Sequence, residues 1–177
     1  MTMPTQLKSH LEQMHVSYFS ILHPPARSAQ YAASLLHIAG KEVAKTVVLR
    51  AGKQVLIALL PASYRVNMKK LSEFVGTPVE LVGEQECSEL FPDCEPGAVP
   101  PFGELYGLPI YMDSALAEDP EIVFSAGTLS DSISIGNADF VHLAKPRICS
   151  FADRGEPAEE KSRAEKEMYF ETGGGGG

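Results

Sequence analysis

Two runs rich in β-formers, Val43–Leu49 and Val55–Leu60, flank Arg50-Ala51-Gly52-Lys53-Gln54. Two such runs around a short glycine-containing turn make a β-hairpin. This is the strongest constraint in the chain, because it commits the middle of the sequence to a sheet. Val55–Leu60 is also the longest purely aliphatic run. It is about a strand long and far short of the roughly 20 residues that span a bilayer.

Around the hairpin the pattern alternates irregularly between helix and strand signals. Leu7, Leu11 and Met14 recur at helical spacing, so residues 5–15 read as an amphipathic helix. Val16–Leu22 reads as a strand. Ser28 is a good N-cap for a helix over 29–38, with Gly40 as its stop, and Asn67 caps a second helix ended by Gly76. Val79–Val82 is a short strand and Glu84–Leu90 a helix. Pro92–Phe102 is a loop with four prolines and Gly97. Leu108–Met112, Ile122–Ser125 and Ser132–Ile135 are further strands, and Asn137 caps a last helix over 138–143. Hairpins with isolated helices favour an α+β fold over a doubly wound one. The 177 residues fit a single domain over 1–152, followed by a charged helical tail over 153–177 that ends in the flexible Gly173–Gly177 run.

With 44% hydrophobic and 21% charged residues, the chain has a globular composition. No apolar h-region occupies the first 20 residues, so no signal peptide is expected. The net charge of −8 argues against a nucleic-acid partner, since affinity for a phosphate backbone comes from cation density. Residues 1–70, however, hold nine Lys/Arg against two acids, whereas residues 71–150 hold two against fourteen. Either one basic face sits on an acidic body, or folding interleaves the two. Cys87, Cys94 and Cys149 are odd in number and form no CxxC, which suits a reducing cytoplasm.

Chemistry-bearing motifs are sparse. The histidines at 10, 15, 23, 37 and 142 have no metal-ligand spacing, so neither a metal nor a cofactor is expected. No GxSxG elbow or phosphate loop occurs, and Cys94 lies between Asp93 and Glu95, which disfavours its thiolate. Two features remain. Lys45 enters an otherwise apolar strand. Its ammonium either snorkels to solvent at the strand end or binds an anion. In Gly97-Ala98-Val99-Pro100-Pro101-Phe102-Gly103, the prolines stiffen the loop and lack N–H groups, leaving those of Gly97–Val99 as donors. The loop is either a rigid turn or a receptor for a carbonyl oxygen or oxyanion.

Taken in order, His23-Pro24, Ala44-Lys45-Thr46-Val47-Val48-Leu49, Gly97-Ala98-Val99-Pro100-Pro101-Phe102, Asp113 after Ile110-Tyr111, and Phe124-Ser125-Ala126-Gly127 resemble the YbaK/ProX family. That family is the prolyl-tRNA synthetase insertion-domain superfamily of aminoacyl-tRNA deacylases, and the resemblance runs from about residue 15 to residue 145. It implies a mixed, barrel-like β-sheet flanked by helices. It also implies hydrolysis of the ester on a mischarged tRNA, commonly a small amino acid on tRNA for proline. In this reading Lys45 holds the tRNA 3′ end. Backbone groups of Gly97, Ala98, Val99 and Pro101 face the aminoacyl carbonyl, and the terminal ribose 2′-hydroxyl assists water. His23, Thr46, Phe102, Asp113 and Gly127 are the further substrate-contacting candidates.

One departure is visible. Synthetase-embedded members carry a histidine after the Ala-Gly step, but here the stretch is Ala126-Gly127-Thr128-Leu129-Ser130-Asp131-Ser132. Ser130 and Ser132 either line the amino-acid pocket or are ordinary turn and strand residues. The alternative function is a non-catalytic module that binds tRNA or an aminoacyl-tRNA synthetase, the synthetase being the second candidate partner; no membrane partner is expected. A third is hydrolysis of another small acyl ester or amide. If the basic segment serves a tRNA, Lys41, Lys45, Arg50, Lys53, Lys69 and Lys70 should include a cluster at one rim of the pocket.

Overall fold

In the computed structural model, which describes residues 2–155, the hairpin forms the centre of the molecule. Strands β2 (Ala44–Ala51) and β3 (Gln54–Pro61) pair antiparallel from Ala44↔Pro61 to Ala51↔Gln54. Gly52, at φ 62°, leads the two-residue turn, the position where a tight hairpin wants a left-handed residue. Pro61 lacks an N–H, and it sits opposite Ala44 where none is needed: hydrogen-bonded pairs alternate along the ladder, and the neighbouring Ala62 N–H donates to the Val43 carbonyl (2.8 Å).

From Val55 onward β3 is apolar, and it is buried on both faces. Ile57 and Leu59 enter the main core, while Leu56, Ala58 and Leu60 enter a second core with Leu49, Leu71, Tyr111 and Phe151. Three further strands complete this five-stranded sheet, in the order β5 (Val79–Leu81), β2, β3, β6 (Ile110–Asp113), β9 (Arg147–Cys149). β5 runs antiparallel to β2, and β3–β6 and β6–β9 are parallel. A second sheet has the order β1 (Tyr18–Leu22), β8 (Asp131–Gly136), β7 (Glu121–Ser125). A two-stranded ribbon pairs β4 (Tyr64–Val66) with β10 (Ala152–Arg154).

The α+β class and mixed sheet expected from sequence are present, but the described strands do not close into one barrel. The two larger sheets meet at a corner, where Val43 bridges Val123 and the Val123 N–H donates to the Glu42 carbonyl (3.1 Å). Helices α1 (Thr5–Gln13), α2 (Ala29–Leu36), α3 (Met68–Val75), α4 (Glu84–Leu90), α5 (Ser114–Ala117) and α6 (Asn137–Ala144) flank these sheets. Ser28 caps α2 through the Tyr31 N–H and Asn67 caps α3 through the Lys70 N–H. α2 ends at His37 in the left-handed region, three residues before the expected stop at Gly40.

Asn137 does not cap α6. It is the first residue of that helix, and its buried amide donates to the carbonyls of Leu116 (2.9 Å) and Asp119 (2.7 Å), tying α5 to α6. The boundary set at residue 152 falls inside β10, and the Gly155 N–H still donates to the Ser63 carbonyl (3.0 Å). The helix expected over 157–169 and the glycine run lie outside the described residues.

Phe102 is a core residue, 1% exposed, and meets Phe124 and Phe140 edge-on with ring centroids 5.5 Å away in each case. The sequence set it among the substrate-contacting candidates; the structure packs its ring into the aromatic core. Phe102→Ala is expected to lower unfolding stability by about 3–5 kcal/mol, the usual cost of an aromatic-sized hole. Urea denaturation checks this; a loss below about 1 kcal/mol would contradict the core role.

Candidate functional site

β5 covers only the Leu49–Ala51 part of β2. Among the described residues, the rest of that edge, Ala44–Val48, has no partner strand, apart from the Val82 N–H donating to the Val48 carbonyl (3.1 Å). Val48 therefore turns its polar groups to this edge, and strand alternation turns the N–H and C=O of Thr46 the same way. A cleft of about 320 Å³ runs along this edge. The start of α2 (Arg27, Ser28, Ala29) forms one wall. Leu81, Val82 and Cys87 form another, and Gly97, Val99 and Ser125 close the far side.

Lys45 stands at the mouth. Its ammonium donates to the Tyr64 carbonyl at 2.6 Å, so β4 fixes where the charge sits. β4 is in turn held by β10.

The Gly97–Pro101 loop approaches from across the cleft. Its Ala98 is fully buried and fully used: the N–H donates to the Glu95 carbonyl (3.1 Å) and the C=O accepts from the Gly127 N–H (2.9 Å). The expectation that Ala98 offers a donor is therefore corrected. Among the described residues the N–H groups of Gly97 and Val99 have no acceptor. Gly97 has φ +85°, a left-handed conformation that only glycine adopts without strain. Pro100 and Pro101 are buried beneath the loop and stiffen it from below, away from the cleft.

The remaining sequence candidates lie outside the cleft lining. Gly127, at φ +93°, packs so closely on Pro4 that a Cβ would stand 2.3 Å from the proline ring. Its carbonyl accepts from the Glu95 N–H (2.8 Å), so it braces the loop. Asp113 is 2% exposed and caps α5 through the Ala115 N–H (2.9 Å). It also accepts from the N–H groups of Phe151 (2.9 Å) and Ala152 (2.8 Å), which anchors the chain entering β10.

His23 places one ring nitrogen on the Ser132 hydroxyl and the other on the Pro24 carbonyl, both at 2.8 Å. The Ser130 carbonyl accepts from the His23 N–H (3.0 Å). His23, Ser130 and Ser132 together hold the segment that delivers Arg27 to the cleft. Thus the structure brings Lys45, Thr46, Gly97 and Val99 together and puts the others behind them.

Sequence reading missed Arg27, Ser125 and Cys87 as lining residues. Arg27 and Cys87 lie in no local motif, and Ser125 sits in the Phe124–Gly127 stretch with nothing to single it out there; the crossing of separate segments brings the three to the cleft. Among the described residues no group of three or more His, Cys, Asp or Glu is arranged to hold a metal, and no helix is long and apolar enough to cross a membrane.

Residues 23–143 match the model of the aminoacyl-tRNA editing domain. The chain belongs to that family. A stretch of 100 residues is 32% identical to the multifunctional Ser/Thr-tRNA deacylase ProXp-y of Escherichia coli K12, covering 55% of this chain and 59% of the relative. The same identity and coverage hold for the protein of that name from E. coli O157:H7. The aligned part is thus less than two thirds of these relatives' length.

Two solved structures share the fold. The hypothetical protein APE2540 superposes with a TM-score of 0.77 at 20% identity, over 84% of this chain and 99% of that one. A candidate trans-editing enzyme for prolyl tRNA synthetase superposes with a TM-score of 0.72 at 24% identity, over 84% and 95%. Within this editing domain the unpaired β2 edge, Lys45 and the glycine loop all lie inside the matched residues.

Burial, then the Glu84 carboxylate, raises the Cys87 thiol above its usual range. Cys94 is pushed up to about 11, chiefly by burial. Neither is an activated nucleophile. Iodoacetamide is expected to label both slowly at pH 7.5. Cys87 should respond first as the pH rises past 9, with Cys94 lagging. Peptide mass spectrometry checks the order; rapid Cys87 labelling at neutral pH would contradict it.

Proposed function

We propose that this protein hydrolyses the ester joining a wrongly attached small amino acid to the 3′ end of a tRNA, with tRNA for proline or a related tRNA as the carrier. The observation that carries the reading is that one cleft is lined by Lys45, whose ammonium is held in place, and by Gly97 and Val99, whose N–H groups have no acceptor among the described residues. The Lys45 charge suits the phosphate or ribose of the terminal nucleotide. The Gly97 and Val99 N–H groups suit the ester carbonyl, whose oxygen gains negative charge as water adds. The open Thr46 edge suits the polar groups of the aminoacyl moiety.

Acyl transfer to water needs a proton acceptor near the attacking oxygen. Among the described residues, the cleft lining holds no His, Asp or Glu. The ribose 2′-hydroxyl beside the ester is the substrate group placed to assist. Catalysis then rests on positioning and on charge stabilisation.

The lining also bears on the amino acid. Ala44, Val48, Val82 and Val99 give it apolar walls, with Ser125 and Cys87 beside them and Arg27, Ser28, Lys45 and Thr46 as its other polar residues. Such a pocket suits a small aliphatic or hydroxyl-bearing side chain, in keeping with the Ser/Thr-tRNA deacylase named among the relatives. An apolar pocket discriminates by only about 1–3 kcal/mol per methylene, which is why synthetases leave errors for a second site to remove. A synthetase that supplies such errors is the companion this activity implies.

A panel of tRNAs charged with alanine, serine, threonine and larger amino acids tests the proposal. Cleavage of the small esters above the rate without protein is expected. Lys45→Ala should lower that rate at least about tenfold, or about 1.4 kcal/mol of transition-state stabilisation, in a protein that circular dichroism shows to be folded at the assay temperature. If no ester is cleaved, the domain is a binding module; cleavage of free aminoacyl esters at an equal rate would make it a general esterase.

A further inference from the structure

The cleft does not end at Lys45. Through Ser28, Ala29 and Lys45 it joins a narrow hollow bordered by Arg65. That hollow shares Gln30, Ser63, Tyr64 and Gly155 with a wider one of about 490 Å³, bounded by Lys41 and Arg154. The three make one continuous groove. Arg27, Lys45, Arg65, Lys41 and Arg154 stand along it, and among the described residues no Asp or Glu lines any part.

The chain as a whole carries 23 acidic and 15 basic residues, so a groove lined by cations departs from its overall charge. Two carboxylates lie near enough to act on it from outside. Asp119 is influenced by Lys41, and Asp153 by Lys70 and Arg65. Among the described residues the ion pairs are Arg50–Glu86 and Lys70–Asp153, and the Lys45 ammonium is held by the Tyr64 carbonyl.

This is not the cluster that sequence suggested. Of the six residues named there, Lys41 and Lys45 line the groove. Arg50 is paired with Glu86, Lys53 sits in the hairpin turn, and Lys69 and Lys70 are on α3. Arg154 comes from the far end of the described chain, brought in by the pairing of β10 with β4.

We propose that the outer groove, from Lys45 past Arg65 to Lys41 and Arg154, is a track for the phosphates of the nucleotides that precede the terminal one in a bound RNA 3′ end. The proposal rests on the ester-hydrolysis reading of the inner cleft, since that reading sets which end of the RNA enters. A row of cations without acids is the electrostatic footprint of a polyanion. Tyr64, which lines both outer hollows, adds an aromatic surface of the kind on which single-stranded bases stack.

The test compares the full-length protein with its Lys41→Ala/Arg154→Ala double variant, both positions being exposed and outside the catalytic cleft. Binding of uncharged tRNA is measured against salt, and hydrolysis is measured on aminoacyl-tRNA and on aminoacyl-adenosine, which has no preceding phosphates. For two lost phosphate contacts the slope of log K against log salt should fall by about 1.4. KM for aminoacyl-tRNA should rise severalfold, with kcat and aminoacyl-adenosine hydrolysis unchanged.

A Lys53→Ala/Lys69→Ala variant removes the same charge off the groove and should leave the slope as it was. Equal slopes in all three proteins would overturn the track. So would groove-dependent binding of poly-L-glutamate in place of tRNA, which would assign the surface to an acidic protein. If the wild type binds tRNA through the groove but cleaves no ester, the track stands and the hydrolytic reading of the inner cleft fails.

Discussion

The register of the β2–β3 hairpin governs everything else in this molecule. Hydrogen-bonded pairs at odd-numbered β2 residues direct the polar groups of the even-numbered ones to the other edge. Because β5 is only three residues long, that edge is left open beside Lys45 and Thr46. A slip of one residue would turn the Thr46 N–H and C=O into the ladder and bring the Lys45 side chain to the opposite face of the sheet. The slip is prevented by burial, since β3 fills two cores with alternate side chains and neither core tolerates exchange.

Around this edge the supporting parts are distributed over distant segments. β10 holds β4, and β4 offers the Tyr64 carbonyl that receives the Lys45 ammonium. Asp113 fixes the entry to β10 through two backbone N–H groups. Gly127 and Glu95 hold the loop that presents Gly97 and Val99. Buried hydrogen bonds of this kind are costly to break one at a time, because each leaves an unsatisfied partner. They keep the geometry of an otherwise solvent-open site, and an open site allows a large substrate to enter and leave.

Local structure was legible in the sequence wherever one residue type has one physical use. Ser28 and Asn67 cap the helices they were expected to cap, and Gly52 makes the hairpin turn. Asn137 misled because a capping amide and a buried amide bridging two helices look alike in one dimension. The three-residue strands β4, β9 and β10 carry too few residues to show a period. They exist because partners far away in the chain pair with them. The same holds for the site. Lys45 and Gly97 stood out locally, but Phe102 and Asp113 share the loop or strand chemistry of site residues while serving the core and a cap. The groove cations could not be picked by segment charge, because folding decides which lysines find carboxylates.

The account stands on the claim that the β2 edge and the glycine loop together receive an aminoacylated 3′ end. The most direct measurement is amide chemical-shift mapping by NMR with a non-hydrolysable aminoacyl-adenosine analogue in which an amide replaces the ester. Shifts concentrated at Lys45, Thr46, Gly97 and Val99, with Ser130 and the β1 edge unmoved, are the expected result. Shifts confined to the β1–β8 face, with the β2 edge silent, would contradict it.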